Sequence, residues 1–353
     1  MPLSFPSRKT LYRINLVFCH DSSDNGAYNM ESFVNKNSCS IKEISDFNIG
    51  HQSDFDAKTG LTVIYFPKGA LAGCDISGGG PASRETPLTL PLTAENRINA
   101  IVLGGGSAYG LAASDGVMKC LEEKKIGYDT GFSLVPLVCQ SDIFDLNYGK
   151  PDVRPDAKMG YEACLSALKE TSDLQGNVGC GIGATVGKIR GTARGDKSGF
   201  GIHAIKTGGL FIVAAVCVNA LGDIYSPQGK KIAGLHSLDR KDYEDCLEAL
   251  CENLTPRDMF TGNTTIGAVI TNAEFSKAEL TKIASMTRTA YSRCIRPVAT
   301  MADGDTIYAA STGTIKADIN AVGSLAAEVM AQAIENAIVN SKISDEEFLK
   351  FCR

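Results

Sequence analysis

The sequence predicts an α+β domain in which sheets and helices pack in layers. Three observations predict this class: strand-like apolar segments occur in clusters, long helical segments follow them, and the order does not alternate regularly as it does in a βαβ fold. With 353 residues and a hydrophobic content of 44%, the chain is long enough to bury a sizeable core.

The first half of the chain contains several strand and helix patterns. Residues 1–40 are polar and irregular, which predicts a variable N-terminal extension before a single domain at 41–353. Residues 61–66 (LTVIYF) and 99–103 are typical of buried strands, and the glycine-rich segment 73–91 between them is predicted to be a loop. Helices are predicted at 111–123 and 157–170.

The second half begins with an antiparallel set of predicted strands at 200–202, 210–218 and 223–225. A helix at 240–253 and a polar linker at 253–262 lead to a β-branched strand pattern at 264–271. We then expect a helix at 274–294, a strand at 303–310 and a long alanine-rich helix at 315–340.

Composition argues against several classes of partner and site. The net charge is −5 without a basic block, which disfavours nucleic acid and anionic membranes. No apolar run reaches the ~18 residues of a membrane span. The 12 Cys form no Cys-x-x-Cys pair and the four His are scattered, so we expect reduced thiols, a cytoplasmic location, and neither a metal nor a cofactor.

The bond between Asn263 and Thr264 lies where a turn meets the strand at 264–271. The Thr264 hydroxyl is suited to attack the Asn263 carbonyl, and hydrolysis of the resulting ester would free the α-amino group of Thr264 beside its own hydroxyl. A threonine whose N-terminal amine serves as base is a known form of activated nucleophile. The local pattern is more often that of an ordinary turn, so the catalytic interpretation needs support from elsewhere in the chain. The neighbouring Thr265 also leaves open a cut one residue later.

Asp303 and Asp305 are two residues apart, which would place both carboxylates on one face of a strand. Two neighbouring acids need a cation or hydrogen-bond donors, so the pair indicates either a functional site or a solvated turn. One carboxylate would orient a threonine hydroxyl, and the other would hold an ammonium group or transfer a proton. Lys188 would make the local potential more positive, and Asn219 would donate to an oxyanion.

A glycine turn at 104–110 (GGGSAYG) lies between a predicted strand and a helix, which is the setting of a phosphate cradle. Its spacing fits neither the dinucleotide fingerprint nor the P-loop nor the nucleophile elbow. A tight turn for close helix–sheet packing is therefore the preferred interpretation. The alternative is a non-catalytic phosphate- or nucleotide-binding protein that uses this turn.

Five stretches together resemble the DmpA-type self-cleaving aminopeptidases, which include the nylon-oligomer hydrolases. They are GLTVIYFPKGALAGCDISGGGPASRET, NAIVLGGGSAYGLAASDGVM, IFDLNYG, GNTTIGAVITN and ATMADGDTIYA, in the order of the family. The resemblance covers about residues 44–340. It implies a four-layer α-β-β-α sandwich with layering like that of Ntn hydrolases. It also implies self-cleavage into chains 1–263 and 264–353 that stay together in a homo-oligomer of cleaved heterodimers.

The resemblance also implies roles for individual residues. The residue after Gly262 and Asn263 is the nucleophile, Thr264. The remaining site residues that the resemblance implies are Asp303, Asp305, Lys188, Asn219 and an oxyanion tyrosine. Tyr148 is the candidate for that tyrosine, although Phe144 occupies another suitable position.

Taken together, the sequence predicts a self-processing threonine amidohydrolase that cleaves small peptides or linear amide oligomers. An acyltransferase that passes the acyl group from Thr264 to an amine is the alternative within the same chemistry.

Overall fold

A computed structural model describes residues 30–252, 254 and 262–353. Residues 1–29 of the predicted extension and most of the predicted linker, at 253 and 255–261, lie outside the described residues. The helices of the described part are α1 (Met30–Lys36), α2 (Ala113–Glu123), α3 (Ala157–Lys169), α4 (Cys246–Cys251), α5 (Lys277–Cys294), α6 (Ile319–Val339) and α7 (Asp345–Leu349).

The strands of the described part lie between Asn48 and Ile315. They are β1 (Asn48–Asp54), β2 (Thr59–Ile76), β3 (Ala82–Arg84), β4 (Ile98–Gly104), β5 (Tyr128–Asp129), β6 (Leu134–Val135), β7 (Val138–Asp142), β8 (Thr185–Val186), β9 (Asp196–Lys197), β10 (Phe200–Thr207), β11 (Leu210–Asn219), β12 (Asp223–Tyr225), β13 (Lys231–Ala233), β14 (Thr264–Ala273), β15 (Ile295–Arg296) and β16 (Thr306–Ile315).

Strand β2 belongs to two sheet halves. Its first part pairs with β1 and β4, and its last part, from Leu71 to Ile76, pairs with β16. The register with β4 shifts between Tyr65 and Ala70, where Pro67 lacks an amide hydrogen and Gly69 has a φ of 66°. One half therefore contains β1, β2, β4, β7 and β3, and the other contains β10, β11, β14, β16 and β2.

Three apolar clusters show that the two halves lie face to face between helices. One cluster joins α2 and α3 to the first half, and another joins α5 and α6 to the second half. The third contains residues from the facing sides of both halves, such as Ile64 and Ile266. Alternation along β2 produces this division, because Leu61 and Val63 face the helices while Ile64 faces the other sheet. The predicted four-layer α-β-β-α sandwich is confirmed.

Glycines in the strands allow the helices to approach the sheets closely. A Cβ atom on Gly50 of β1 would lie 2.3 Å from the Ala163 carbonyl oxygen of α3, and one on Gly201 of β10 would lie 2.0 Å from the Ala333 carbonyl oxygen of α6. These positions therefore exclude any side chain, whereas most strand positions tolerate one.

Most predicted elements are present, and several differ in extent: β10 continues to Thr207, past the predicted end at residue 202, and β3 lies within the predicted loop at 73–91. Residues 73–76 were expected in a loop, but β2 continues through them because they pair with β16, a partner distant in sequence. The helix predicted at 240–253 is reduced to α4, because Ser237 and Asp239 hold a turn before it and Arg240 has a φ of 56°. The strand predicted at 303–310 begins at Thr306, so both acids precede it in a loop.

The part of the predicted extension that is described packs on the domain. Val34 of α1 lies in the cluster with α6, and the Cys39 amide donates to the Ala204 carbonyl oxygen of β10 at 3.0 Å. The boundary at residue 40 stays a prediction. Among the described residues, no helix combines the length and apolar character needed to cross a membrane.

Gly201→Ala should lower the free energy of unfolding by about 1–3 kcal/mol, because the added methyl group overpacks the contact between β10 and α6. Urea unfolding measures this change. Gly208→Asn is the control, since Gly208 has a φ of 55° with no atom within 4 Å of an added Cβ and asparagine tolerates that backbone region. Equal stability of Gly201→Ala and wild type would contradict the close packing.

Candidate active site

The ends of three neighbouring strands bring the candidate residues together. Thr264 begins β14, and its antiparallel partner is Asn219, the last residue of β11. On the other side, β16 runs parallel to β14 and begins opposite Ile266. The loop that contains Asp303 and Asp305 therefore arrives beside Thr264.

The loop before β16 holds the bond between Asn263 and Thr264 through its backbone. The Asn263 amide donates to the Ala302 carbonyl oxygen at 3.2 Å, and the Gly304 amide donates to the Asn263 carbonyl oxygen at 2.9 Å. The Thr264 hydroxyl contacts that same carbonyl oxygen. Both residues of the bond are buried, so attack by Oγ1 would generate an oxyanion that already faces an amide donor.

Gly304 has no side chain for a steric reason. A Cβ atom there would lie 2.8 Å from Thr264 Oγ1 and 2.8 Å from the Gly80 carbonyl oxygen. The glycine between the two acids thus lets the loop touch the threonine hydroxyl, and it supplies a donor that has no side-chain signature in the sequence.

The two acids are anchored by different groups. Asp305 accepts the Thr265 amide at 2.6 Å and the Ala299 amide at 2.9 Å, so its carboxylate ties the loop to β14. Asp303 accepts the amide and the hydroxyl of Thr300 at 3.0 and 2.6 Å, and it also accepts the Leu221 amide.

Burial raises the pKa of both acids. The pKa of Asp305 rises to about 8 because of burial and, next, the charge of Asp303. Burial also raises the pKa of Asp303, while donors from Thr300 and Leu221 and the charge of Lys188 oppose that increase. Donors from Thr300 and Leu221 and the charge of Lys188 favour the ionised form of Asp303, which is therefore the better candidate for the ionised partner of the pair.

Lys188 is buried next to Asn219. Its Nζ donates to the Asn219 Oδ1 at 2.8 Å and to the Asn219 carbonyl oxygen at 3.2 Å. Burial lowers the pKa of Lys188 to about 7, and the charges of Asp303 and Asp145 oppose that decrease. The structure thus joins Lys188, Asn219 and the acid pair in one polar cluster at the end of β11.

The Asn219 side chain makes further hydrogen bonds within this cluster. Its Oδ1 also accepts the Thr185 amide at 3.0 Å, and its Nδ2 donates to the Phe144 carbonyl oxygen at 2.9 Å. Asn219 therefore positions the lysine and the segment at residue 144, and the predicted role as an oxyanion donor stays a prediction.

Tyr148 lies in an aromatic group with the C-terminal segment. Its ring stacks on Phe348 at a centroid distance of 5.5 Å and contacts Phe351 at 5.9 Å. Phe144, in contrast, reaches the processing site, because a Cβ atom on Gly262 would lie 2.3 Å from its ring. The position that faces the bond thus carries no hydroxyl, and the oxyanion role of Tyr148 stays a prediction.

The glycine turn at 104–110 is occupied by carboxylates of the protein itself. Asp145 accepts the Gly106 amide at 2.7 Å and the Thr59 hydroxyl at 2.7 Å. The buried Asp142 lies against Gly104 and Gly110, where added Cβ atoms would be 2.3 and 2.9 Å from its oxygens. Asp145 already accepts the Gly106 amide that a phosphate would need, which disfavours the nucleotide-binding alternative.

Sequence patterns did not identify Asp145 as part of this region. Burial raises its pKa to about 6, and the charge of Lys188 opposes that increase. Asp145 lies in the IFDLNYG stretch that carries the resemblance, but no role was predicted for it. Only the pairing of β4 with β7 brings it to the glycine turn and to the lysine.

In the described ranges 30–252, 254 and 262–353, no group of three or more His, Cys, Asp or Glu side chains is arranged to hold a metal ion. The predicted absence of a metal and a cofactor stays a prediction.

Solved structures share the layered fold. A Burkholderia sp. β-aminopeptidase matches with a TM-score of 0.62 at 16% identity, over 89% of this chain and 92% of that chain. The L-aminopeptidase D-Ala-esterase/amidase of Ochrobactrum anthropi, described as a new variant among the Ntn hydrolase fold, matches with a TM-score of 0.60 at 14% identity. That match covers 86% of this chain and 85% of the Ochrobactrum anthropi chain.

The chain thus has the layered fold that was described as a variant among the Ntn hydrolase fold, with a polar cluster at its strand ends. More particularly, the chain belongs to Peptidase family S58, whose model matches residues 39–347. It is a hydrolase that acts on amide bonds, as the resemblance to DmpA-type enzymes implied.

Two relatives illustrate the range of the family. An uncharacterised aminopeptidase of Mycobacterium tuberculosis is 33% identical over 333 residues, which are 86% of this chain and 94% of the relative. A 6-aminohexanoate-oligomer endohydrolase of Kocuria sp. is 32% identical over 308 residues, which are 82% of this chain and 83% of the relative.

We expect ATP and inorganic phosphate at about millimolar concentration to show no binding in equilibrium dialysis, because Asp145 already occupies the Gly106 amide. The Asp145→Asn variant, which loses the charge and keeps a hydrogen-bond acceptor, is dialysed against the same ligands for comparison with wild type. Saturable retention of either ligand by wild type would show that the turn is a phosphate site after all.

Proposed function

We propose that this chain is a self-processing amidohydrolase whose nucleophile is Thr264. One observation supports the proposal above others: the Thr264 hydroxyl contacts the carbonyl oxygen of the residue before it, and the Gly304 amide donates to that same oxygen. Nucleophile, scissile carbonyl and oxyanion donor are thus assembled within one intact chain.

Self-cleavage begins with addition of Thr264 Oγ1 to the Asn263 carbonyl carbon. The ionised carboxylate of the Asp303–Asp305 pair takes the hydroxyl proton, and the Gly304 amide stabilises the oxyanion. The carbon–nitrogen bond then breaks, and the Thr264 nitrogen takes the proton and becomes an amine. Water hydrolyses the ester, which leaves a carboxylate on Asn263 and restores the Thr264 hydroxyl.

Turnover repeats this chemistry on a substrate, with the new amine as base. The Thr264 amine takes the hydroxyl proton as Oγ1 attacks the substrate carbonyl, and it returns the proton to the leaving amine. Water then hydrolyses the acyl ester. Asp305 holds the Thr265 amide and so fixes the residue next to the nucleophile.

Lys188 and Asn219 serve this reaction by positioning and by charge. Lys188 favours the ionised form of Asp303, because its charge lowers the pKa of that acid. Asn219 keeps Lys188 at the strand end opposite Thr264. Replacement of either residue would alter the acid pair without removing the nucleophile.

The proposed substrates are small peptides or linear amide oligomers. The names of the relatives, an aminopeptidase and a 6-aminohexanoate-oligomer endohydrolase, support both classes. We further propose that the cleaved chains 1–263 and 264–353 remain together in a cytoplasmic homo-oligomer. Their strands β11, β14 and β16 are neighbours in one sheet, which supports their staying associated.

Wild type should separate on a denaturing gel into fragments of 1–263 and 264–353, whereas Thr264→Ala should remain one chain because it lacks the attacking oxygen. Thr265→Ala is a matched control, since this neighbour is also buried and its hydroxyl has no hydrogen-bond partner in the part of the chain that the structure describes. It should still be cleaved. Cleavage of Thr264→Ala, or an intact wild type, would reject Thr264 as the processing nucleophile.

Lys188→Met should move the acidic limb of the self-cleavage pH profile upward by about one pH unit. The sign follows from charge: Lys188 is protonated below its pKa of about 7 and lowers the pKa of Asp303, so its loss leaves Asp303 protonated to higher pH. Gel densitometry of the cleavage rate across pH measures the limb.

Lys197→Met is the control for this experiment. Lys197 is equally buried and its pKa is also lowered to about 7, but its amine donates to the Gly181 and Ala184 carbonyl oxygens. Its loss should leave the acidic limb in place. If the acidic limb of the pH profile lay at the same pH in both variants, Lys188 would have no part in setting the pKa of Asp303.

A further inference from the structure

Asn263 shows how an acyl group sits on Thr264. The inference rests on the proposed function, because it assumes that Thr264 attacks first its own chain and then a substrate. The ester formed during self-cleavage carries the Asn263 acyl group on Thr264 Oγ1. The acyl-enzyme formed during turnover carries the substrate acyl group on the same atom.

These two esters are the same chemical species apart from the acyl chain. The groups that bind Asn263 in the uncleaved chain are therefore the nearest groups available to the acyl unit of a substrate. They remain in place after cleavage, because Ala302 and Gly304 lie in the second chain together with Thr264.

Ala302 and Gly304 form a backbone clamp around Asn263, defined here as the Ala302 carbonyl oxygen and the Gly304 amide. Through these two backbone groups, Asn263 and Asp303 are paired in an isolated parallel β-bridge. It accepts the Asn263 amide at 3.2 Å and donates to the Asn263 carbonyl oxygen at 2.9 Å. It thus recognises a nitrogen and a carbonyl attached to the same carbon atom.

The space around Asn263 restricts the acyl unit further. Asn263 is 2% exposed, and its Nδ2 lies 3.4 Å from the Ala302 carbonyl oxygen. The ring of Phe144 closes the side at Gly262. A small polar side chain fits where asparagine already lies.

We propose that the acyl site selects α-aminoacyl units with a small polar side chain, through a hydrogen bond from their α-nitrogen to the Ala302 carbonyl oxygen. A 6-aminohexanoyl unit carries no nitrogen on its α-carbon. It presents its carbonyl to Gly304 but cannot donate the hydrogen bond that the Asn263 amide donates to the Ala302 oxygen. Within the two substrate classes proposed above, this assigns the chain to peptides.

Three chromogenic anilides test the selection on wild type that has been processed to completion. They are asparagine p-nitroanilide, succinamic acid p-nitroanilide, which differs only in the loss of the α-amino group, and 6-aminohexanoic acid p-nitroanilide. Each kcat/KM is divided by the rate of alkaline hydrolysis of the same anilide, since the α-amino group also changes the reactivity of the carbonyl. Thr264→Ala is assayed in parallel.

We expect the normalised kcat/KM of the succinamic and 6-aminohexanoic anilides to be lower than that of the asparagine anilide by about tenfold or more, the effect of one lost hydrogen bond. Equal values, or a preference for either analogue, would overturn the selection. In that case Thr264-dependent release of p-nitroaniline would leave the proposed hydrolase standing. Absence of activity on all three anilides, or activity equal to that of Thr264→Ala, would overturn both.

Discussion

The burial of charge at the ends of β11, β14 and β16 constrains the rest of the site. Asp303, Asp305 and Lys188 are each less than 5% exposed. An isolated buried charge costs several kcal/mol, so each group must find donors, acceptors or an opposite charge nearby. The backbone amides of residues 221, 265, 299 and 300 meet that need for the acids, and Asn219 meets it for the lysine.

The need of the buried Asp305 for hydrogen-bond donors fixes the position of the loop before β16. Asp305 links the loop at Ala299 to the strand at Thr265, and a loop held in this way places Gly304 against the Asn263 carbonyl oxygen. The exclusion of water from this region raises the pKa of Asp305. It also strengthens the hydrogen bond from the Gly304 amide, because electrostatic interactions are stronger in a medium of low dielectric constant.

Much of the fold was predictable, since local patterns specified β4, β11, β14 and the helices α2, α3, α5 and α6 to within a few residues. The extension of β2 to Ile76 was not, because it depends on pairing with β16, more than 200 residues later. The motifs singled out Thr264 and both acids. They assigned no role to Gly304 and Asp145, although both lie in stretches that carry the resemblance, because the first acts through its backbone and the second reaches the site only through the pairing of β4 and β7.

The donor to the Asn263 carbonyl oxygen is the backbone amide of Gly304, and the aromatic side chain beside Gly262 is that of Phe144. The Phe144 ring lies against Gly262 and contributes no hydroxyl, while its carbonyl oxygen holds Asn219 Nδ2. A backbone donor cannot be removed by substitution of its side chain, and it moves only if the loop moves. Because Asp305 ties that loop to β14, which begins with Thr264, a cut before Thr264 as proposed above would leave the Gly304 amide and the Thr264 hydroxyl beside each other. The same pair of atoms would then serve self-cleavage once and hydrolysis repeatedly.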